Sequence, residues 1–229
     1  MTIRFRPIAA ALLALSLFTS PAAAQSRETE QVDRTIPLQP GGSLRLKNFS
    51  GDIRITGTDA AEVAIHAVRR ASRSRLDRIK LSIESSGSEV VINANDRADA
   101  DDQDGDNVVE TTFEIRVPRQ TNVDVTSFSS GITVADVDGR HRVNNFSGDV
   151  HLSNVSGPLR AKTFSGDIEL QVPGGEGADL RFSTFSGDID TDLPLTFISK
   201  SRKQLHATLN GGGREVAVET FSGDVRINR

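Results

Sequence analysis

The chain has 229 residues, a formal net charge of -4, no cysteine, no tryptophan, no tyrosine and eleven phenylalanines. Lacking cysteine, it has no disulfide framework, no thiolate metal site and no lipid-modified cysteine. The mildly acidic balance gives no electrostatic footprint for nucleic acid or an anionic membrane.

Residues 1–24 read as a signal peptide. Arg4 and Arg6 precede an apolar run from Ile8 to Phe18, and Ala22, Ala23 and Ala24 form a small-residue cleavage site before Gln25. The run is too short to span a bilayer, and no other stretch approaches that length. Cleavage near Ala24 removes two arginines and no acid, which takes the net charge from -4 to -6. The expectation is an extracytoplasmic protein, periplasmic or secreted, with no transmembrane segment in the mature chain.

Residues 25–34 (QSRETEQVDR) read as a loose polar lead-in. From Thr35 onward apolar and polar residues alternate, as in Leu44, Leu46, Ile53 and Ile55, then Val63, Ile65 and Ala67, then Ile79, Leu81 and Ile83. Period two, β-branched enrichment and breaks at Gly, Asn and Asp predict strands. Ala67 to Lys80 resembles a short basic helix, but Ser72 and Ser74 interrupt it, and it reads as a loop or hairpin end. Asp99–Asp106 (DADDQDGD) and Ser199–Lys203 (SKSRK) read as solvated loops. With Gly105 set on the glycine of a calcium loop, Ala100 and Thr111 fall where carboxylates are needed. An EF-hand is therefore excluded, and a weak cation site is the alternative to a flexible loop.

Six copies of one motif follow: NFSGDIRI from Asn48, SFSSGITV from Ser127, NFSGDVHL from Asn145, TFSGDIEL from Thr163, TFSGDIDT from Thr184 and TFSGDVRI from Thr220. The last five phenylalanines are spaced 18, 18, 21 and 36 residues apart. A fixed period of this size indicates stacked units that cannot bury an apolar face alone. The predicted fold is all-β, a single elongated parallel β-solenoid of ~18–20-residue repeats over residues 35–229, irregular over 35–117 and regular over 118–229. An antiparallel sandwich is the competing arrangement.

In such a stack equivalent residues form columns. Phe49, Phe128, Phe146, Phe164, Phe185 and Phe221 are expected to fill the core, beside a second apolar column of Ile53, Ile132, Val150, Ile168, Ile189 and Val225. Gly51, Gly148, Gly166, Gly187 and Gly223 allow positive φ. Asp149, Asp167 and Asp188 are expected to accept local backbone N–H bonds rather than hold a metal. The Phe128 copy departs, with Ser130 and Gly131 where the others have Gly and Asp. No catalytic, cofactor or metal residue is assigned. His66, His141, His151 and His206 lack ligand spacing, and no nucleophile elbow, phosphate loop or zinc motif occurs. Asp149, Asp167, Asp188, His151, Glu169 and Asp190 are candidates to share one exterior face, as in polysaccharide-cleaving solenoids, but nothing singles out a pair. Asn48, Asn145 and Asn154 match the N-x-S glycosylation pattern and are set aside because the leader is of bacterial type.

The segments GGSLRLKNFSGDIRITG (41–57) and EIRVPRQTNVDVTSFSSGITV (114–134), with the repeated TFSGDIEL-type units and the final ETFSGDVRINR, resemble the bacterial putative-adhesin family of unknown function, related to autotransporter adhesin head domains. The resemblance covers residues 35–229. It implies a β-solenoid-like fold, an envelope setting and no known catalytic residues. The resulting expectation is a non-catalytic binding or scaffold module of the cell envelope, with an envelope protein or a surface glycan as partner. The alternatives are an envelope-stress or regulatory component and a carbohydrate-active enzyme. The chain ends a few residues after its last motif, so self-association is expected through the C-terminal solenoid edge, around Val225.

Overall fold

The computed structural model describes residues 27–97 and 108–229. Residues 1–24, expected to be a signal peptide, and the Asp99–Asp106 run lie outside the described residues. In chain order the elements are β1 (Glu28–Pro37), β2 (Gly42–Ser50), β3 (Ile53–Thr58), β4 (Glu62–Ala71), α1 (Arg73–Arg78), β5 (Ile79–Ser86), β6 (Glu89–Arg97), β7 (Glu110–Pro118), β8 (Thr121–Ser129), β9 (Ile132–Ala135), β10 (His141–Ser147), β11 (Val150–Ser153), β12 (Leu159–Ser165), β13 (Ile168–Gln171), β14 (Ala178–Ser186), β15 (Ile189–Thr191), β16 (Thr196–Lys200), β17 (Gln204–Leu209), β18 (Arg214–Ser222) and β19 (Val225–Asn228). The fold is all-β and solenoid-like, with the strands in an open sheet.

The pairings resolve into two long ladders. One runs β5-β6-β2-β8-β10-β12-β18-β14-β17-β16. The other runs β1-β4-β7-β3-β9-β11-β13-β19-β15. The central pairs are parallel and keep the repeat in register, with Val143 opposite Val125 on one side and Ala161 on the other. Antiparallel pairs occur only towards the ends, at β1–β4, β4–β7, β5–β6, β14–β17 and β16–β17.

Three expectations change here. The polar lead-in contains β1, which runs from Glu28 and pairs along its length with β4. The segment after Ala71 forms a short helix of six residues, α1, which buries Leu76. The C-terminal strand is not an edge. β19 lies between β13 and β15, Val225 is fully buried, and its ladder partners are Ile168 and Ile189. The chain therefore builds β14–β15 one place further out and fills the gap with its last coil, β18–β19. The first coil is enclosed in the same way, because β2 lies between β8 and β6. An exposed strand edge invites pairing with other chains, and both terminal coils are withdrawn from that position.

Alternation sets the core. Inward columns carry Leu46, Val125, Val143, Ala161, Val218 and Phe182 in one ladder, and Ile53, Ile132, Val150, Ile168 and Val225 in the other, all buried. The second apolar column stands as expected over those five residues, while Ile189, its outermost member opposite Val225, is only partly buried.

One inward position holds an imidazole. His141 sits between Val123 and Leu159 in its column and is 1% exposed. Its Nε2 lies 3.0 Å from the Ser156 carbonyl oxygen, and Nδ1 has no hydrogen-bond partner. Beside it Arg214 donates to the carbonyls of Val155 (2.6 Å) and Gly157 (3.3 Å), and Ser156 Oγ donates to Glu176 at 2.7 Å. Burial, reinforced by the Arg214 charge, holds the His141 pKa below the ordinary imidazole value. The unfolded chain then takes up a proton before the folded one does. The stability that depends on neutral His141 is fully present above pH ~6.5 and is lost as pH falls through the lowered folded value. His141→Leu should flatten the fall of the urea midpoint over that window. An unchanged pH dependence in the variant would show that other groups cause it.

Candidate functional site

The F-S-G-D turn joins a strand of the first ladder to a strand of the second. Its copies meet in space in the order Phe49, Phe128, Phe146, Phe164, Phe221 and Phe185. Successive ring centroids are 4.7–4.9 Å apart, and the planes differ by 2–19°. The column exists, but it is not core. The rings are 38–47% exposed, and Phe185, which ends the stack, is 71% exposed. Alternation explains the difference. Leu44, Leu46 and Asn48 point inward, so Phe49, one residue on, points outward. Each ring covers its neighbour's face and presents its edge to water. The result is an apolar ridge along one side of the stack.

The inward residue before each phenylalanine secures the turn. Asn145 Nδ2 donates to the carbonyls of Ser130 (2.8 Å), Ser147 (2.9 Å) and Gly148 (3.0 Å). Asn48 makes the same three-way contact with Ser50, Gly51 and Thr111. Thr220 and Thr184 donate to the glycine carbonyl of the adjoining coil, Gly166 at 3.1 Å and Gly223 at 2.9 Å. Asn48 and Asn145 are buried and committed, which is incompatible with a glycan on either. In the departing copy Ser127 and Ser130 bond each other at 2.5 Å.

Coils approach closely at the glycine. Gly166 has φ +141°, and a Cβ there would lie 2.3 Å from the Gly148 carbonyl oxygen. The aspartate that follows links coils instead of capping its own turn. Asp149 Oδ1 accepts the N–H of Asp167, Asp167 that of Asp224, and Asp224 that of Asp188, each at 2.9 Å. Gly131 interrupts the series and itself donates to Asp52 at 3.3 Å.

The exterior candidates share the second ladder's face, where Asp149 adjoins Asp167 and His151 adjoins Glu169, but β19 separates these from Asp188 and Asp190. Arg226 stands between Glu169 and Asp190, and Asp224 between Asp167 and Asp188. His151 Nδ1 lies 3.2 Å from Glu169, and both are largely solvated. Among the described residues no three His, Asp or Glu side chains are placed to hold a metal ion.

Beside the ridge the first ladder is grooved. A hollow of about 590 Å³ lies against Phe164, Phe185 and Phe221 and is bordered by Lys162, Gln204 and Glu219. It adjoins a second, about 510 Å³, with Arg160, Arg181 and His206 on its rim and Ala217 on its floor. Ala217 is the small residue between Arg160 and Arg181 in an outward column of longer side chains. Lys162 pairs with Glu219 and Arg181 with Glu215, whereas Arg160 makes no ion pair or hydrogen bond among the described residues. The arrangement offers an apolar strip next to a polar shelf of paired charges in which the Arg160 side chain is left without a partner among the described residues. Sequence reading missed the ridge, although the odd–even count from Leu44 would have placed it outside.

Because Phe164 is half exposed, Phe164→Ala should cost about 1–2 kcal/mol, the loss of two ring contacts and partial burial, and not the roughly 3–5 kcal/mol of a core aromatic. Urea unfolding measures this directly. A loss above ~3 kcal/mol would mean that the ridge carries core-like weight.

A family model described as Toastrack DUF4097 matches residues 113–228, just over half of the chain. No curated protein matches. Among solved structures, one described as a putative cell adhesion protein from Clostridium sporogenes has a TM-score of 0.60 at 14% identity, covering 87% of this chain and 99% of that one. A putative lipid binding protein from Parabacteroides distasonis has a TM-score of 0.38 at 10% identity, covering 90% and 97%. A putative adhesin from Bacteroides fragilis has a TM-score of 0.32 at 10% identity, covering 86% and 97%. The first likeness concerns the fold alone, and the other two carry no argument. With its matched span reaching from β7 to β19, the chain belongs to the Toastrack DUF4097 family, a domain family of unknown function.

Proposed function

We propose that the protein is a non-catalytic, extracytoplasmic binding or scaffold module of the bacterial cell envelope, which holds an envelope protein or a surface glycan against the phenylalanine ridge. The observation that carries this reading is the exposure of the ridge. Six stacked rings present on the order of 600 Å² of apolar surface, taking roughly 200 Å² for each free side chain. That is at the upper end of what a monomer leaves in contact with water, and such patches are commonly interaction sites. The reading includes a cleaved leader over residues 1–24 and one parallel β-solenoid domain over 35–229. Among the described residues no helix is long and apolar enough to cross a membrane. The cell-adhesion description of the Clostridium protein agrees with a binding role.

The test compares the tagged mature chain with Phe146→Ser and Phe146→Lys on envelope extract and on purified cell-surface glycan. Both substitutions lie in the middle of the ridge on a solvent-facing position. Retention should fall about ten-fold or more in each variant while the far-ultraviolet dichroism stays unchanged. Equal retention by folded variants would remove the ridge from the binding function.

A further inference from the structure

The stack has two ends, and they differ. At one end the outermost strands are β1 and β5, paired only with β4 and β6. Neither carries a large exposed hydrophobic residue. At the other end they are β16, paired only with β17, and β15, paired only with β19. All five residues of β16 are exposed, with Phe197 at 47% and Ile198 at 59%. Phe185, the last ring of the ridge, lies at this same end. Among the described residues, exposed large apolar side chains on an outermost strand are therefore confined to β16, the position where natural sheets place charge or a covering segment.

The charges at this end fall into two groups. The β16–β17 hairpin is basic, with Lys200, Arg202 and Lys203. β15 and its flanks are acidic, with Asp188, Asp190 and Asp192. Inside the chain the groups meet only where Lys203 lies 3.9 Å from Asp188. Lys200 sits over the Phe197 ring, 5.0 Å from its centre. The side chains of Arg202, Asp190 and Asp192 make no hydrogen bond or ion pair among the described residues. A basic border on one ladder and an acidic border on the other, at the same end, complement each other under a two-fold rotation. Each copy would set its hairpin against the β15 of the other.

We propose that this end is a self-association surface whose occupant is a second copy of the chain. Phe197 and Ile198 form its apolar centre, and Lys200 and Arg202 face Asp190 and Asp192 of the other copy. Since the β1–β5 end lacks the apolar element, the assembly closes as a dimer and does not extend into a fibre. The surface is separate from the middle of the phenylalanine ridge, so this inference does not depend on the proposed binding role.

Sedimentation velocity of the mature chain across a concentration series tests it. Wild type should pass from monomer to dimer and stop there. Lys200→Glu/Arg202→Glu and Asp190→Lys/Asp192→Lys should each raise the dimer dissociation constant by about ten-fold or more. An equimolar mixture of the two should recover the dimer, because both contacts become complementary again. All four positions are exposed, and a thermal melt checks that the variants are folded. Phe146→Ser should leave the dimer unchanged. A wild type that stays monomeric, charge-reversed variants that dimerise as well as wild type, or a mixture that does not recover would each overturn the proposal.

Discussion

The structure depends on one constraint, the spacing of hydrogen-bonded strands. Neighbouring backbones in a sheet lie about 4.7–4.9 Å apart. Here the same distance separates successive turns, and the ring centroids at 4.7–4.9 Å measure it independently. At the corners the backbones come so close that a side chain on Gly166 would meet the carbonyl of the next coil. A repeated residue therefore becomes a column, and the choice made at one motif position is enforced along the whole stack.

Each column uses this spacing differently. Inward aliphatic residues become a continuous core. Asn and Thr at the corner satisfy carbonyls of their own turn and of the coil beside it. Aspartate turns a local capping habit into a link between coils, since its carboxylate reaches the next N–H at 2.9 Å. Phenylalanine, on the outward side, stacks because its neighbours are held at nearly the thickness of packed rings. That stacking removes the ring faces from water and leaves the edges as the surface. The apolar ridge thus follows from the backbone repeat, and its exposure marks it as available to a partner.

Repeats of this kind have ends, and the chain treats them with care. Its first and last coils are both flanked on two sides, so neither is a free edge. Other strands finish the stack instead, β1, β5 and β16 antiparallel and β15 parallel to their neighbours. On one end they expose no large apolar side chain. On the other, β16 combines exposed apolar residues with an asymmetric charge pattern, a character the β1–β5 end does not share among the described residues.

Much of this was legible from residues alone. The 18-residue spacing from Phe128 to Phe146 to Phe164 indicated stacked units, and the alternation at Leu44, Leu46, Ile53 and Ile55 indicated strands with one buried face. The apolar column through Ile53 and Val225 was readable because it requires only equal positions in equal repeats. The side on which phenylalanine lies was readable too, from the count of residues after Leu46, but hydrophobicity outweighed alternation in the reading. Other features depended on contacts distant in sequence. That β18 enters between β12 and β14, with Leu159 opposite Val216, cannot be seen in a linear repeat, because the spacing is the same whichever coil is outermost. The same uncertainty misplaced the free edge at Val225 and concealed β16. The period, the strand class, the composition of the columns and the side on which each residue falls are contained in the residues, since they follow from local alternation and repetition. The order of the coils and the identity of the ends come from the fold, since they depend on which backbone is hydrogen-bonded to which.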